Sequence, residues 1–252
     1  MEASTREKGR KEKMNVTLII PTWNLSNRGT DRIKWLLESL KGQGADVNVA
    51  DGSPSNSEQA IIQDITCYFG YADYQWQPNG EFNKPILVNW GGWQGVWRET
   101  EYLCFTDADY LFSPGLIEAA LKIASPERFI YKGVELLSRN AVINETTIRE
   151  WKFPRVSPNS WPPEIACGAF MFHHRSFFEK SGGMDERMSG MCGMDEDYFK
   201  RAKLAGLELV HLDEGQILHQ WHPTLKRVET PEMRRNWKLR DQAKNVNWKE
   251  NI

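Results

Sequence analysis

Residues 102–109 are YLCFTDAD, an apolar run that ends in the carboxylates of Asp107 and Asp109. The apolar residues predict a buried strand over 102–106, and the two aspartates then lie on the loop that follows it. Carboxylates at this spacing on a loop can bind a hard divalent ion, which also takes phosphate oxygens. A D-x-D sequence is also common in solvated turns, so a plain surface turn is the alternative. The apolar residues 110–112 that follow favour the functional interpretation.

Outward from this strand, the chain alternates predicted strands and helices. Apolar runs predict strands at 16–20, 46–50, 71–76 and 102–106, and helical spacing predicts helices at 31–40, 57–68, 84–96 and 114–124. Gly91 and Gly92 are expected to soften or break the third helix. This alternation is typical of an α/β fold, a three-layer α/β/α sandwich with a mostly parallel central sheet. Such sheets bind ligands at the carboxyl ends of their strands, which selects the loops at 22–27, 51–55 and 107–110.

The second half of the chain is less regular. We predict a strand at 168–173, a short helix at 176–180, a helix at 195–205 and a strand at 208–212. Beyond Pro223 the chain is polar, with eight basic and four acidic residues, and forms either an amphipathic helix on the body or a mobile tail. The chain is therefore divided into a disordered basic arm at 1–13, one α/β domain at 14–223 and a polar basic extension at 224–252.

The composition limits the class of protein. A net charge of -2 argues against a polycation built to bind nucleic acid, and a mean hydropathy of -0.59 argues against an integral membrane protein. No run approaches the roughly 18 apolar residues of a spanning helix. Residues 1–13 lack the apolar core of a secretory signal. The four cysteines form no C-x-x-C pair, which is typical of thiols in a reducing compartment. We expect a soluble, cytoplasmic protein.

Three further groups of polar residues could bind a ligand, act as a general base or bind a metal ion. Asp51 follows the second strand, where a carboxylate accepts hydrogen bonds from a base or ribose, or closes an Asx-turn with Gly52. The three acids at 195–197 open a helix, either as caps or with one of them as a general base. The two histidines of the HQWH sequence at 219–222 either face one ion or are unrelated. With the D-x-D they indicate a mixed oxygen and nitrogen site, which suits Mn²⁺ better than Mg²⁺.

These motifs follow one another in a specific order. They are Pro21, Thr22 and Asn24 after the first strand, Asp51, the pair Asn89 and Gly91, the D-x-D, the GGMDE sequence at 182–186, the acidic helix start before Arg201, and the late H-x-x-H. In this order the chain resembles the GT-A glycosyltransferases. It is most similar to the inverting branch that includes the β-1,4-galactosyltransferases and the bacterial chondroitin polymerase domains. The resemblance covers residues 15–223.

The resemblance implies three sets of site residues. The donor-binding residues would be Pro21, Thr22, Asn24, Asp51, Lys84, Asn89, Asp107 and Ala108. The ligands of a Mn²⁺ or Mg²⁺ ion would be Asp107, Asp109, His219 and His222, with Asp109 as a direct ligand and Asp107 on the ion or the ribose. The acceptor-binding residues would be Trp161, Gly168, Asp197 and Trp221, with a structural role as the alternative for Asp197.

The resemblance also implies a catalytic base and shows two departures from the family. Asp195 matches the catalytic aspartate of the family's W-G-G-E-D-D-D run, and Glu196 is a rival base. Met194 stands where the family has a glutamate. His219 stands where the galactosyltransferases have a methionine, which gives a harder metal site.

The activity implied is metal-dependent, inverting transfer of a sugar from a nucleoside diphosphate, a UDP-sugar, to an acceptor hydroxyl. The acceptor is either a saccharide or glycan stacked on Trp161 or Trp221, or a hydroxymethylated DNA base, as in phage enzymes that modify their own genome. The compartment would be the cytoplasm of a bacterium or of a phage-infected host.

Two other classes of protein stay open. One is a non-catalytic module that binds nucleotide sugars or carbohydrate. The other is a metal-dependent nucleotidyltransferase or hydrolase. Such enzymes usually carry a Gly-rich phosphate loop after the first strand, whereas here no glycine occurs between Thr22 and Gly29.

Overall fold

The computed structural model describes residues 15–25, 29–77, 82–154, 167–190, 192–223 and 229–250. Its strands are β1 (Val16–Thr22), β2 (Asp46–Asp51), β3 (Ala72–Trp76), β4 (Tyr102–Phe105), β5 (Tyr110–Phe112), β6 (Arg128–Tyr131), β7 (Glu135–Leu136), β8 (Met171–His174), β9 (Glu208–His211) and β10 (Ile217–His219). Its helices are α1 (Asp31–Leu40), α2 (Asn56–Tyr68), α3 (Lys84–Trp97), α4 (Leu116–Ile123), α5 (Glu145–Arg149), α6 (Arg175–Ser181), α7 (Met194–Leu204) and α8 (Pro231–Gln242).

Seven strands form the central sheet, in the order β3-β2-β1-β4-β8-β6-β9. Every neighbouring pair is parallel except the two that involve β8. The carboxyl ends of β1, β2 and β4 therefore meet at one edge of the sheet, where ligands bind in folds of this kind. The predicted mostly parallel sheet is confirmed.

The central strand β1 shows how the layers form. Its residues are buried throughout, and successive side chains point to opposite faces of the sheet. Leu18 packs with Ile33 of α1 on one face, whereas Ile19 packs with Val88 of α3 on the other. Helices therefore cover both faces, which confirms the predicted three-layer α/β/α architecture.

Helix α3 corrects the expectation that its glycines would soften or break it. The helix is continuous, because its glycines face closely packed neighbours. A Cβ atom at Gly91 would lie 2.6 Å from Cγ2 of Ile19, and one at Gly92 would lie 2.6 Å from Cζ of Phe178. These glycines therefore let the helix approach the sheet and α6 closely.

A second sheet, of three short strands in the order β5-β10-β7, is absent from the sequence prediction. Strand β10 pairs antiparallel with β5, so that His219 lies opposite Tyr110, and parallel with β7. Each strand has only two or three residues, which is too short to show a period of two in the sequence. The pairing joins the late histidine segment to the D-x-D loop.

Two predicted elements begin later than expected. The strand predicted at 168–173 starts at Met171, because residues 167–169 form a 3₁₀ turn. The helix predicted at 114–124 starts at Leu116, because Gly115 at its N-terminus adopts a φ of +80°. The helix predicted at 195–205 starts one residue earlier, at Met194.

The C-terminal segment forms α8, which packs on α7 and buries Met233 and Asn236. The helical alternative predicted beyond Pro223 therefore matches the part of the extension that the structure describes. Residues 1–13, the predicted arm, lie outside the described residues. Within the described part of the chain, no helix has both the length and the apolar character that crossing a bilayer requires.

Candidate active site

Asp109, His219 and His222 converge where the small sheet meets the D-x-D loop. The antiparallel pairing of β5 and β10 extends past the strands, since the Gln220 N–H donates to the Asp109 carbonyl at 2.8 Å. Nε2 of His222 lies 3.1 Å from Oδ2 of Asp109, and Nε2 of His219 lies 3.5 Å from the same oxygen. The structure thus brings together three of the four predicted metal ligands.

This cluster fits a divalent cation. One ligand atom from each of the three residues lies within 4.8 Å of the others, and all three residues are partly buried. One carboxylate and two imidazoles form a donor set that suits Mn²⁺. Burial raises the pKa of Asp109, but its contacts with His219 and His222 outweigh burial and hold this pKa well below its usual range. The hydrogen bond to Asp109 in turn raises the pKa of His222.

Lys84 joins the D-x-D loop to helix α7. Its Nζ lies 2.7 Å from Oδ1 of Asp107 and 3.0 Å from Oδ1 of Asp195. Burial lowers the pKa of Lys84, but the two carboxylates outweigh burial and raise this pKa above its ordinary value. A charged lysine, 4% exposed, therefore fixes the distance between the two predicted functional aspartates. The two residues are 88 positions apart in the sequence, and the sequence does not predict this link.

Asp107 faces Lys84 rather than the histidine cluster. Among the described residues, the group that could hold a metal ion contains Asp109 and not Asp107. Burial raises the pKa of Asp107 to about 6, Lys84 opposes the rise, and Asp195 and Asp109 add to it. The two aspartates of the motif thus have different surroundings.

Asp195 lies against Gly168 at the start of α7. A Cβ atom at Gly168 would lie 2.5 Å from Oδ2 of Asp195, so a larger residue there would displace the Asp195 carboxylate. The 3₁₀ turn that contains Gly168 is fastened to the end of β4, because Oγ1 of Thr106 donates to the Ala169 carbonyl at 2.7 Å. Gly168, predicted to contact an acceptor, therefore borders the predicted base.

The other two acids of α7 occupy different environments. Asp197 is 1% exposed, and its Oδ2 accepts a hydrogen bond from Nε of Arg201 at 2.8 Å. Arg201 also donates to the carbonyls of Ser181 and Gly183. Asp197 thus does not face the open site. Its surroundings match the structural role that was the alternative to acceptor binding. The Glu196 side chain is partly exposed and forms no hydrogen bond or ion pair within the described residues.

Asp51 lies at the carboxyl end of β2 and anchors the loops beside it. Its Oδ1 accepts hydrogen bonds from Oγ1 of Thr22 at 3.0 Å and from Oγ of Ser53 at 2.7 Å. Its Oδ2 accepts one from the Tyr74 hydroxyl at 2.9 Å. Burial and the charge of Asp51 raise the pKa of Tyr74 above its ordinary value. Sequence reasoning missed Ser53 and Tyr74, although Ser53 belongs to the turn that it singled out.

The other predicted donor-binding residues at the ends of β1 and β4 are Pro21, Asn24 and Ala108. Pro21 is buried within β1. Asn24 has a φ of +49°, and its backbone N–H donates to Oγ of Ser53 at 3.0 Å. Ala108 is buried between the two aspartates of the D-x-D loop.

Asn89 fastens the glycine-rich loop at 182–186 to α3. Its Oδ1 accepts a hydrogen bond from the Met184 N–H at 2.7 Å. Its Nδ2 donates to the Met184 carbonyl and to Oε1 of Glu186, both at 2.9 Å. Both N–H groups of the amide are therefore engaged within the protein, so Asn89 shapes the site through this loop.

Trp221 is adjacent in the chain to His222 and is 43% exposed. The guanidinium of Arg139 lies 5.0 Å from the centroid of its ring, which is a cation–π distance. Arg139 is a further residue that sequence reasoning missed. Trp161, the other predicted stacking residue, lies outside the described residues.

The model is similar to solved structures of glycosyltransferases. The catalytic domain of Drosophila β1,4-galactosyltransferase 7, in complex with xylobiose, has a TM-score of 0.56 and 16% identity over 92% of this chain and 82% of its own. A fragment of S. aureus TarS in complex with UDP has a TM-score of 0.59 and 14% identity over 82% of this chain and 61% of its own. The mannosyltransferase PcManGT from Pyrobaculum calidifontis, in complex with GDP-Man and Mn²⁺, has a TM-score of 0.53 and 16% identity over 90% of this chain and 61% of its own.

These similarities establish the class of fold. The chain has the GT-A fold of nucleotide-sugar glycosyltransferases, and it spans less than two thirds of two of the three neighbours. No protein-family model matches the sequence, and no curated protein matches it either.

Proposed function

We propose that this protein is a metal-dependent, inverting glycosyltransferase that moves a sugar from a UDP-sugar to an acceptor hydroxyl. The observation that supports this most directly is the Lys84 bridge between Asp107 and Asp195, next to the cluster of Asp109 and its two histidines. The bridge places a candidate base beside a candidate cation site. A sugar-binding or nucleotide-binding module without activity has no need of that arrangement.

The cation site would be formed by Asp109, His219 and His222, with Mn²⁺ preferred over Mg²⁺ because two ligands are nitrogen. A bound ion would supply positive charge against the diphosphate of the departing nucleotide. Lys84 adds a fixed positive charge next to Asp107. Asp107 would contact the ribose of the donor. The neighbour solved with GDP-Man and Mn²⁺ supports a divalent ion in this fold.

Asp195 is the proposed general base. It would take the proton of the acceptor hydroxyl, whose oxygen then attacks the anomeric carbon from the face opposite the leaving diphosphate, which inverts the configuration. A positioned base of this kind contributes about 10²–10⁴ in rate. Lys84 and Gly168 fix the direction of the Asp195 carboxylate, whereas no described residue forms a hydrogen bond or ion pair with Glu196. The structure therefore favours Asp195 over Glu196.

The nucleoside would bind at the carboxyl ends of β1 and β2. Thr22 and Asp51 form the floor of that region, and Ser53 and Tyr74 hold the Asp51 carboxylate in place. Pro21 in β1, Asn24 in the loop after it and Ala108 in the D-x-D loop would complete the donor site. Asn89 would act on the sugar side through the loop at 182–186. The TarS complex supports UDP as the nucleotide.

The acceptor is proposed to be a saccharide. The exposed ring of Trp221, beside the cation site, offers an apolar face of the kind on which sugars stack. A hydroxymethylated DNA base is the other acceptor considered, with Arg139 as a candidate phosphate contact. Binding to duplex DNA that weakens steeply with salt would favour the DNA acceptor, because phosphate contacts release counterions.

A thermal-shift panel of nucleotide sugars, with and without Mn²⁺, tests this function. We expect one UDP-sugar to raise the melting temperature, and to do so only with the metal present. At a ligand concentration of about 100 times Kd, the stabilisation is about 2.7 kcal/mol. No response to any nucleotide sugar would overturn the proposal.

The base is tested with a matched pair of variants. Asp195→Asn should keep the Mn²⁺-dependent stabilisation by the donor and lose transfer by about 10²-fold or more. Glu196→Gln should keep both, since this side chain forms no hydrogen bond or ion pair with a described residue. Normal transfer by Asp195→Asn, with loss in Glu196→Gln, would exchange the two roles.

A further inference from the structure

We infer that the C-terminal segment at 229–250 sets the position of helix α7, and that Asn236 is the positioning residue through which it acts on Asp195. This inference rests on the proposed function, in which Asp195 is the base. The segment was first distinguished by its polar, basic composition, which gives no reason to place it near a site. Its contacts with Ser189, Cys192 and α7 do not involve the candidate cation ligands or Thr22 and Asp51.

Asn236 is a buried amide that holds the chain directly before α7. Its side chain is 0% exposed, and its Nδ2 donates to the carbonyls of Ser189 at 2.8 Å and Cys192 at 3.0 Å. One amide group therefore holds both Ser189 and Cys192, the latter directly before Gly193 and α7.

The entry into α7 has an unusual backbone that needs such support. Cys192 has a φ of +67° and Gly193 a φ of +88°, so two consecutive residues are outside the regions that side chains prefer. For a residue other than glycine this conformation is strained and persists where the surroundings fix it. A Cβ atom at Gly193 would lie 3.0 Å from Cβ of Asn236, so α8 packs directly on this turn.

The same segment forms four more hydrogen bonds, three with α7 and one with the loop at 182–186. Nζ of Lys200 donates to the carbonyls of Arg240 and Asp241, at the end of α8, at 2.9 and 3.0 Å. Nη1 of Arg201 donates to the Val246 carbonyl at 3.3 Å. Nε1 of Trp248 donates to the carbonyl of Gly182, in the loop that Asn89 fastens, at 2.9 Å. The segment therefore contacts α7 at its start and along its length.

These contacts predict an effect on turnover rather than on donor affinity. Asp195 lies two residues after Gly193, so a shift of the turn moves its carboxylate relative to Lys84 and Gly168. Misplacement of a reacting group by about 1 Å can cost 10²-fold in rate. The cation ligands are on the D-x-D loop and beyond β10, and α8 does not carry them, so donor and metal binding should stay.

The test compares Asn236→Ala and Asn236→Asp with the control Lys238→Ala. Asn236→Asp keeps the size of the side chain and removes the two N–H donors. Lys238 is exposed on the same helix. Three quantities are measured on the full chain: the steady-state release of UDP from the UDP-sugar that binds with Mn²⁺, the Kd of UDP with Mn²⁺, and hydrogen exchange of the amides at 189–198.

Both Asn236 variants should lower kcat by about tenfold or more, with Kd for UDP and Mn²⁺ within about twofold and faster exchange at 189–198. Lys238→Ala should match the parent protein in all three. Unchanged kcat, or an equal loss of kcat and UDP affinity, would overturn the positioning role. If the parent protein binds UDP but releases none from any UDP-sugar, the proposed function fails. In that case hydrogen exchange at 189–198 still tests the role of Asn236. Unchanged exchange in the Asn236 variants would show that Asn236 does not hold the start of α7.

Discussion

Replacing Gly183 by alanine tests whether the glycine-rich loop at 182–186 is locked to α3 as the structure indicates. Gly183 has a φ of +79°, and an added Cβ atom would lie 2.1 Å from Oδ1 and 2.6 Å from Cγ of Asn89. The side chain of Asn89 is buried and makes three hydrogen bonds to Met184 and Glu186. It therefore cannot rotate away without losing them.

The expected cost has two parts. The left-handed backbone conformation costs about 1–2 kcal/mol for any residue with a Cβ atom. Displacing Asn89 removes its hydrogen bonds, each of which contributes about 0.5–1.5 kcal/mol net. Gly183→Ala should therefore lower the free energy of unfolding by about 3–5 kcal/mol, measured by urea denaturation.

Gly206→Ala is the matched control, because Gly206 has a φ of +82° and no atom within 4 Å of the added Cβ. It should cost only the conformational part, about 1–2 kcal/mol. In an Asn89→Ala background, Gly183→Ala should fall to the same value, since the clash is gone. Equal costs for Gly183→Ala and Gly206→Ala in the parent protein would refute the proposed lock.

Three further changes probe the cation site and two buried charged or titratable groups. His222→Ala should weaken Mn²⁺ binding by at least about tenfold in titration calorimetry, and unchanged affinity would remove His222 from the ligands. Arg201→Met should destabilise the protein by about 3–5 kcal/mol, because it leaves the buried Asp197 carboxylate without its partner. A cost within the error of denaturation would show that Asp197 reaches solvent. Burial lowers the pKa of His173 to about 4, so the unfolded chain binds this proton first as the pH falls. The stability present above the unfolded pKa of about 6.5 should fall by about 3 kcal/mol between pH 6.5 and 4, and His173→Phe should remove this slope.

The parallel half of the fold was predictable because buried strands leave a direct signal in the sequence. Strands β1, β2 and β4 are buried on both faces, which requires continuous apolar runs. Strands β5, β7 and β10 were not predictable. They have two or three residues each, and their pairing joins positions about a hundred residues apart. The position of helix α3 was predictable, but the expectation that its glycines would soften or break it was wrong. The close approach of Gly91 to Ile19 can be seen only in the folded structure.

The cation site was predicted from residue types and order, and the structure shows why that reasoning stopped short of the rest. Carboxylates and imidazoles with metal-binding spacing are conspicuous in a sequence with five histidines. A buried lysine such as Lys84 is not conspicuous, since its role depends on the two carboxylates that the fold brings to it. The same holds for Tyr74 and Asn236, whose partners are on other elements.

The three acids of α7 show which site features the sequence predicts and which only the fold reveals. Successive residues of a helix point about 100° apart, so Asp195, Glu196 and Asp197 necessarily face three different directions. Arg201 lies four residues after Asp197, a spacing at which a helix allows an ion pair, and the structure shows that pair. The choice between Asp195 and Glu196 needs the third dimension. Gly168 and Lys84 contact the Asp195 side chain, and no described residue forms a hydrogen bond or ion pair with the Glu196 side chain. A helix start with three carboxylates thus contains one structural acid and one proposed base, and the surrounding elements decide which is which.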